Sequence, residues 1–377
     1  MRLDRLDDVV HALVVADPAT DVTTAARRHA LAVAPLLPDD ELDALADRVT
    51  ARVHGLGPIE QLLADPAVTE VMVNAGADVW VERSGRLERT PVTLRPGAAE
   101  HLVERIVAPL GLRIDRTAPI VDARLPDGSR VHAVIPPVAV DGPCLTIRRF
   151  GVRTLPLDAF APPPVAGLLR QAVAGRANIL VSGATASGKT TLLNALAAEA
   201  PPGERIVTIE DAAELRLPGE HIVRLEARPP TADGTGAVTI RQLVRAALRM
   251  RPDRLVVGEV RGPEALDMVQ ALSTGHDGSL ATCHANSALD ALRRVEAMVL
   301  QGEHGLPLAA VRDQVHASID LVVHLARATG GARAVVEMAE PVPEPADGRP
   351  RLRPIATGVH VVAEPTRRRA RAQDRRP

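Results

Sequence analysis

Gly183-Ala184-Thr185-Ala186-Ser187-Gly188-Lys189-Thr190 has the spacing GxxxxGK[ST]. An apolar run from Asn178 to Val181 precedes it, and a helical pattern from Lys189 to Ala200 follows. A phosphate-binding loop needs that context. Its glycines let backbone N–H groups turn inward around phosphate oxygens, and the helix N-terminus adds its positive end. Residues 183–190, with Thr191 next in the helix, are therefore expected to line the phosphates of a nucleoside triphosphate. Lys189 reaches the β and γ phosphates and Thr190 ligates Mg²⁺. Composition singles out the same lysine. The chain has 45 Lys+Arg, of which Lys189 alone is Lys. Ammonium is a compact point charge and guanidinium a wide fork, so a pocket sized for ammonium resists replacement by Arg.

Carboxylates follow at the spacing such a loop requires. Leu255-Val256-Val257-Gly258-Glu259 is an apolar strand ending in an acid, placed to orient water and to hold the Mg²⁺ shell. Gly258 stands where a Walker B Asp is usual. Thr208-Ile209-Glu210-Asp211-Ala212-Ala213-Glu214 also follows a strand and offers three acids, one of which could act as general base. Acids after strands are common in loops, so this cluster is weaker alone. Thr274-Gly275-His276-Asp277-Gly278-Ser279 leads into a strand ending at Cys283-His284. A metal site there lacks a fourth ligand at recognised spacing. A γ-phosphate sensor or an intersubunit contact suits the place better, and two polar loop histidines remain an open alternative.

The elements that must position these groups can be read from periodicity. Residues 165–340 alternate strand and helix, the pattern of a parallel sheet with crossover helices. Thr239 and Gln242 form a capping box before Ile240, Leu243, Val244, Ala247 and Leu248 at helical spacing. Leu255-Val256-Val257 is a buried strand, and Pro263 opens the next helix. Residues 55–150 read as a small α+β domain. Val71, Val73, Val79 and Val81 alternate, Ser84-Gly85 marks a hairpin, and Pro126-Asp127-Gly128 turns the chain. Residues 1–54 read as helical, with Leu42, Leu45, Ala46 and Val49 on one face. Residues 151–164, with Pro156 and Pro162-Pro163-Pro164, read as a stiff linker. Residues 341–377 are Pro- and Arg-rich. The run Arg367, Arg368, Arg369, Arg371, Arg375 and Arg376 reads as solvated and disordered, with contact to anionic lipid or nucleic acid as the alternative.

Composition sets the outer limits. A chain of 377 residues with 46% hydrophobic content holds two domains and a sizeable core. With 1% aromatics and no Tyr, that core is aliphatic. Net charge is −2, which excludes polyanion binding by bulk composition. Cys144 and Cys283 form no CxxC pair, which argues against a disulfide framework and suits a reducing compartment. No apolar run approaches a membrane span, and the N-terminus lacks a signal-peptide core. The expected location is cytoplasmic, any membrane contact being made through a partner.

Taken together, the chain resembles the type II/type IV secretion ATPase family, and within it the CpaF-like ATPases of Tad/Flp pilus assembly. The phosphate loop, IEDAAEL, RPDRLVVGEVRG and TGHDGSLATCHANS fall in the family's order across about residues 50–340. GLGPIEQLLADPAVTEVMVN, VDARLPDGSRVHAVIPP and LTIRRF point to the CpaF-like branch. The resemblance implies a RecA-like P-loop domain after a smaller α+β domain, assembled as a hexameric homo-oligomer on an inner-membrane platform protein. It implies that Glu259 is the Walker B glutamate, Glu214 the general base, and His276 and His284 the two His-box residues. Arg130 and Arg148 match arginines that reach γ-phosphate; Arg124 and Arg149 lie nearby. Ala184 and Ala186 replace glycines of the family pattern, and an Ala forced to φ > 0 would strain the loop. Two alternatives stand beside the pilus motor. One is the DNA-transfer branch of the family, against which the scarcity of stacking aromatics counts, so no obligate nucleic acid is expected. The other is a regulator that binds ATP without hydrolysing it.

Overall fold

The computed structural model describes residues 3–17, 21–53, 55–83, 85–149, 155–185, 187–230, 234–302, 305–327, 332–342 and 350–366. Ala186, Ser84, residues 151–154 and the arginines from Arg367 onward, all of which carry expectations above, lie outside them. The chain divides into two compact units, Met1–Gly151 and Val152–Pro377.

The first unit opens with helices α1 (Leu3–Val15), α2 (Val22–Val33) and α3 (Asp39–Val53). α3 starts on three acids, Asp39, Asp40 and Glu41, which favour a helix N-terminus. Its Leu42, Leu45, Ala46 and Val49 are buried against Val10, Ala26 and neighbours in a core of their own. After α4 (Glu60–Ala64) come β1 (Val68–Asn74), β2 (Asp78–Arg83), β3 (Arg86–Thr93), α5 (Ala98–Val107), β4 (Ile120–Arg124), β5 (Arg130–Val134) and β6 (Cys144–Arg148). Among the described residues these strands form an antiparallel sheet in the order β3-β2-β1-β6-β5-β4. Val71, Val73, Val79 and Val81 point inward by the period of two and pack with Leu102, Val103 and Ile106 of α5.

The second unit runs α6 (Pro163–Ala174), β7 (Ile179–Gly183), α7 (Lys189–Ala198), β8 (Ile206–Glu210), β9 (Ile222–Glu226), α8 (Ile240–Ala247) and β10 (Arg254–Val260). It continues through α9 (Glu264–Ser273), β11 (Leu280–His284), α10 (Ala288–Gly302), α11 (Leu308–Ser318), β12 (Leu321–Arg327), β13 (Arg333–Val342), β14 (Arg351–Thr357) and β15 (His360–Val361). Among the described residues the sheet order is β15-β14-β13-β12-β7-β11-β10-β8-β9. The run from β12 to β9 is parallel, and β13 to β15 extend it antiparallel. All residues of β7 and β8 are buried, as expected of strands covered by helices on both faces. The capping box at α8 is present in both directions.

Two segments differ from their sequence reading. Within 151–164, the described residues are packed rather than a free linker. Leu157 and Phe160 are buried in the second unit's core, and Pro163 starts α6. Proline fixes φ without preventing the apolar residues between prolines from burying. Within 341–377, residues 350–366 are ordered. β14 pairs with β13 and buries Ile355 and Ala356, while the buried Glu340 accepts hydrogen bonds from Thr366 N at 2.6 Å and Thr366 Oγ1 at 2.8 Å. The gain is tertiary: an extended polar segment is held by a neighbouring edge, which local propensity does not register.

Candidate functional site

Parallel pairing aligns the carboxyl ends of the central strands. Gly183 of β7 pairs with His284 of β11, Val257 of β10 pairs with both Ile209 of β8 and Ala281 of β11, and Glu210 and Glu259 follow at the same edge. Ligands bind in open α/β sheets at this edge. The chain leaves β7 through the glycine loop and enters α7 at Lys189, with Gly188 as N-cap at φ +99°. The helix start has no side-chain cap and no acid in its first turn. Its N–H groups are left for an external acceptor, as a phosphate site requires. Ser187 Oγ is buried without a hydrogen-bond partner. Lys189 Nζ donates to Gly183 O and Ala184 O, each at 3.1 Å. Burial pushes the lysine pKa down, and the field of Glu259 partly offsets this. The N–H donors of an uncapped helix start and a buried ammonium fit the triphosphate of ATP. Thr190 and Thr191 sit half-buried in the first turn, where Thr190 can hold Mg²⁺. Ala184 does not adopt positive φ, so the strain considered above is absent there.

Glu259, half-buried, accepts hydrogen bonds from Arg261 Nε at 3.0 Å and Nη2 at 2.5 Å. Arg261 also pairs with Asp211 at 3.3 Å and lies in the field of Glu214. One arginine therefore ties the end of β10 to the acidic stretch after β8. Glu214 N and Leu215 N both donate to Glu210 Oε1 at 2.9 Å. Glu210 thus sets the path of the stretch that carries Glu214. Its other oxygen, Oε2, is buried without a hydrogen-bond partner. Burial pushes the Glu210 carboxyl up to about 7, against the pull of those two N–H groups. Gly258 has a spatial reason. A Cβ placed there would lie 2.8 Å from Glu210 Cγ, so no Walker B Asp fits while Glu210 occupies that space.

His284 reaches the loop, its Nδ1 lying 3.4 Å from Thr185 Oγ1. His276 does not. It precedes β11, at the opposite end of that strand, and bonds Ala271 O at 3.2 Å. Cys283 is buried and its thiol is pushed up to about 12 by that burial, so it offers no thiolate. The arginines read from the first unit are brought together within that unit. Arg130 pairs across strands with Arg148 on one side and Arg124 on the other, giving one row over β6, β5 and β4. Arg149 is set apart as a structural tie, donating to the backbone oxygens of Asp65 and Val68.

Sequence reasoning gave Arg261 no role and did not separate Glu210 from the other acids of its stretch. Arg261 stands two residues after Glu259 and Glu210 four before Glu214, so both were in quoted motifs. Charge alone does not tell which acid faces water and which faces the sheet. For Glu210 one signal was available: it is the last residue of a wholly buried parallel strand.

A protein family described as type II/IV secretion system protein matches residues 52–353. A putative conjugal transfer protein of Mycobacterium tuberculosis is 41% identical over 326 residues, covering 83% of this chain and 92% of its own. A type IV secretion system protein PtlH homolog of Bordetella bronchiseptica is 38% identical over 329 residues, 77% of this chain and 95% of its own. Among solved structures, the ATPase DotB of Legionella pneumophila superposes with a TM-score of 0.52 at 20% identity, over 79% of this chain and 78% of that one, a likeness of fold. The fold is thus the mixed α/β one of such ATPases, a RecA-like P-loop domain preceded by a smaller α+β domain and helices. Over most of its length, the chain belongs to the type II/IV secretion system protein family.

Proposed function

We propose that this protein is a Mg²⁺-dependent ATPase, converting ATP to ADP and phosphate as the motor of a type IV secretion or pilus apparatus at the bacterial inner membrane. The observation that carries it is the meeting, at one sheet edge, of an uncapped helix start with Lys189, Glu259 and the Glu210–Glu214 stretch. Lys189 exchanges two loop carbonyls for phosphate oxygens. Glu259 orients the attacking water, and Glu214, positioned by Glu210, takes its proton. Thr190 and Glu259 would hold Mg²⁺, which would supply positive charge to the phosphates. Among the described residues no helix is long and apolar enough to cross a membrane, which is consistent with docking on a platform protein.

The cargo is a finer matter. The first-unit motifs support a Tad/Flp pilus. The names of the relatives, a conjugal transfer protein and a PtlH homolog, support the conjugative or type IV secretion branch instead. ATPase activity stimulated by DNA would favour conjugative transfer, and indifference to DNA would favour a protein cargo.

The test is nucleotide binding and phosphate release measured side by side. Lys189→Ala is expected to lose MgATP binding. Glu259→Gln is expected to keep binding and lose hydrolysis by at least about a hundredfold. Binding of ATP by the wild type with no hydrolysis at any concentration would favour the regulator.

A further inference from the structure

The phosphate loop has two unlike flanks. On one side β11 leads to β10 and β8, with Glu259 and Glu210. On the other lie β12 and β13, paired antiparallel, with Arg327 opposite Arg333 where β12 ends and β13 begins. Arg333 comes against the loop itself. A Cβ placed on Gly188 would lie 2.6 Å from Arg333 Cδ and 3.3 Å from its Nε. The arginine stem therefore rests on the N-cap of α7, on the flank away from Glu259, while the residue as a whole stays exposed.

That flank has a chemical need. If the terminal phosphate faces Glu259, the nucleoside end faces β12 and β13. A nucleobase held there wants a flat partner. The chain has one Trp, two Phe and no Tyr. Trp80 belongs to β2 of the first unit, Phe160 is buried in the core, and Phe150 lies outside the described residues. Guanidinium is planar and stacks on aromatic faces. Its seat on Gly188 costs little, since the position at φ +99° already demands glycine.

We propose that Arg333 is a nucleoside-binding residue of the same subunit: its guanidinium, seated on Gly188, covers the base of the bound nucleotide. This rests on the ATP site argued above.

The experiment measures ADP binding to full-length wild type, Arg333→Met and Lys189→Ala, with inorganic tripolyphosphate as a competing probe. Methionine keeps an apolar stem on Gly188 and removes the guanidinium, and thermal melting checks that each variant is folded. The expected result is ADP binding weakened by about five- to thirtyfold in Arg333→Met, the range of a cation–π contact, with tripolyphosphate binding unchanged. Unchanged ADP binding overturns the proposal. Equal weakening of ADP and tripolyphosphate also overturns it, and moves Arg333 to the phosphates beside Arg327. Wild-type ADP and tripolyphosphate binding by Lys189→Ala would instead sink the phosphate-loop reading, whatever Arg333 does.

Discussion

Glu210 is a carboxylic acid in the place of a core residue. Its 3% exposure and the solvated acids around it divide one acidic stretch into two kinds of side chain. Burial raises its pKa from 4.5 to about 7. A group whose pKa rises on folding adds stability that is fully present below its unfolded pKa and is lost as pH climbs through the folded one. The window is therefore about pH 4.5 to 7. Glu210→Gln keeps an oxygen for the Glu214 and Leu215 N–H groups and removes the ionisation. Its melting temperature relative to wild type is expected to rise from about pH 4.5 to about pH 7 and to level off above, equivalent to about 3 kcal/mol across the full shift. A difference between the two proteins that stays flat over that range would mean Glu210 does not titrate there.

At the scale of elements, β8 and β10 touch where one supplies Glu210 and the other Gly258. The 2.8 Å approach of a Gly258 Cβ to Glu210 Cγ predicts that Gly258→Ala costs about 1–3 kcal/mol by overpacking. Adding Glu210→Ala to it should recover part of that loss, because the colliding atom is then gone. Denaturant unfolding of the two single variants and the double gives the coupling; strict additivity would show that the strands do not meet there. The same pairing holds the ends of β8 and β10, with Glu210 and Glu259, at one edge. Parallel strands fix which residues end at the edge, and the loops then differ only in what they carry.

For the whole molecule, Arg148, Arg130 and Arg124 stand opposite one another across β6, β5 and β4. Like charges set opposite one another in adjacent strands are unfavourable. If the protein works as a hexameric ring, as the family resemblance implies, Arg130 and Arg148 reach the γ-phosphate of a neighbouring subunit. Arg130→Ala is then expected to cut ATPase activity by about a thousandfold, the lower end of what an arginine supplied in trans contributes. Nucleotide binding and oligomer formation should persist. Activity measured against protein concentration decides it: turnover independent of both concentration and Arg130 would leave an ATPase without the ring mechanism.

The sequence by itself determined the elements whose causes are local. The phosphate loop follows from glycines and one lysine at fixed spacing, the helix α3 from the apolar face of Leu42, Leu45, Ala46 and Val49, and the α8 cap from Thr239 and Gln242. Glu259 was legible because an apolar run must end before a charge can reach water. Tertiary structure decided what depends on neighbours distant in the chain. It set His284 beside Thr185 of the phosphate loop and left His276 on Ala271 O, since the pairing of β11 with β7 decides which end of the strand meets the loop. It packed Leu157 and Phe160 and added Arg351–Thr357 to the sheet, because burial there comes from contacts with other elements. It also separated Glu210 from Glu214, which share one chemistry and differ in how much water reaches them.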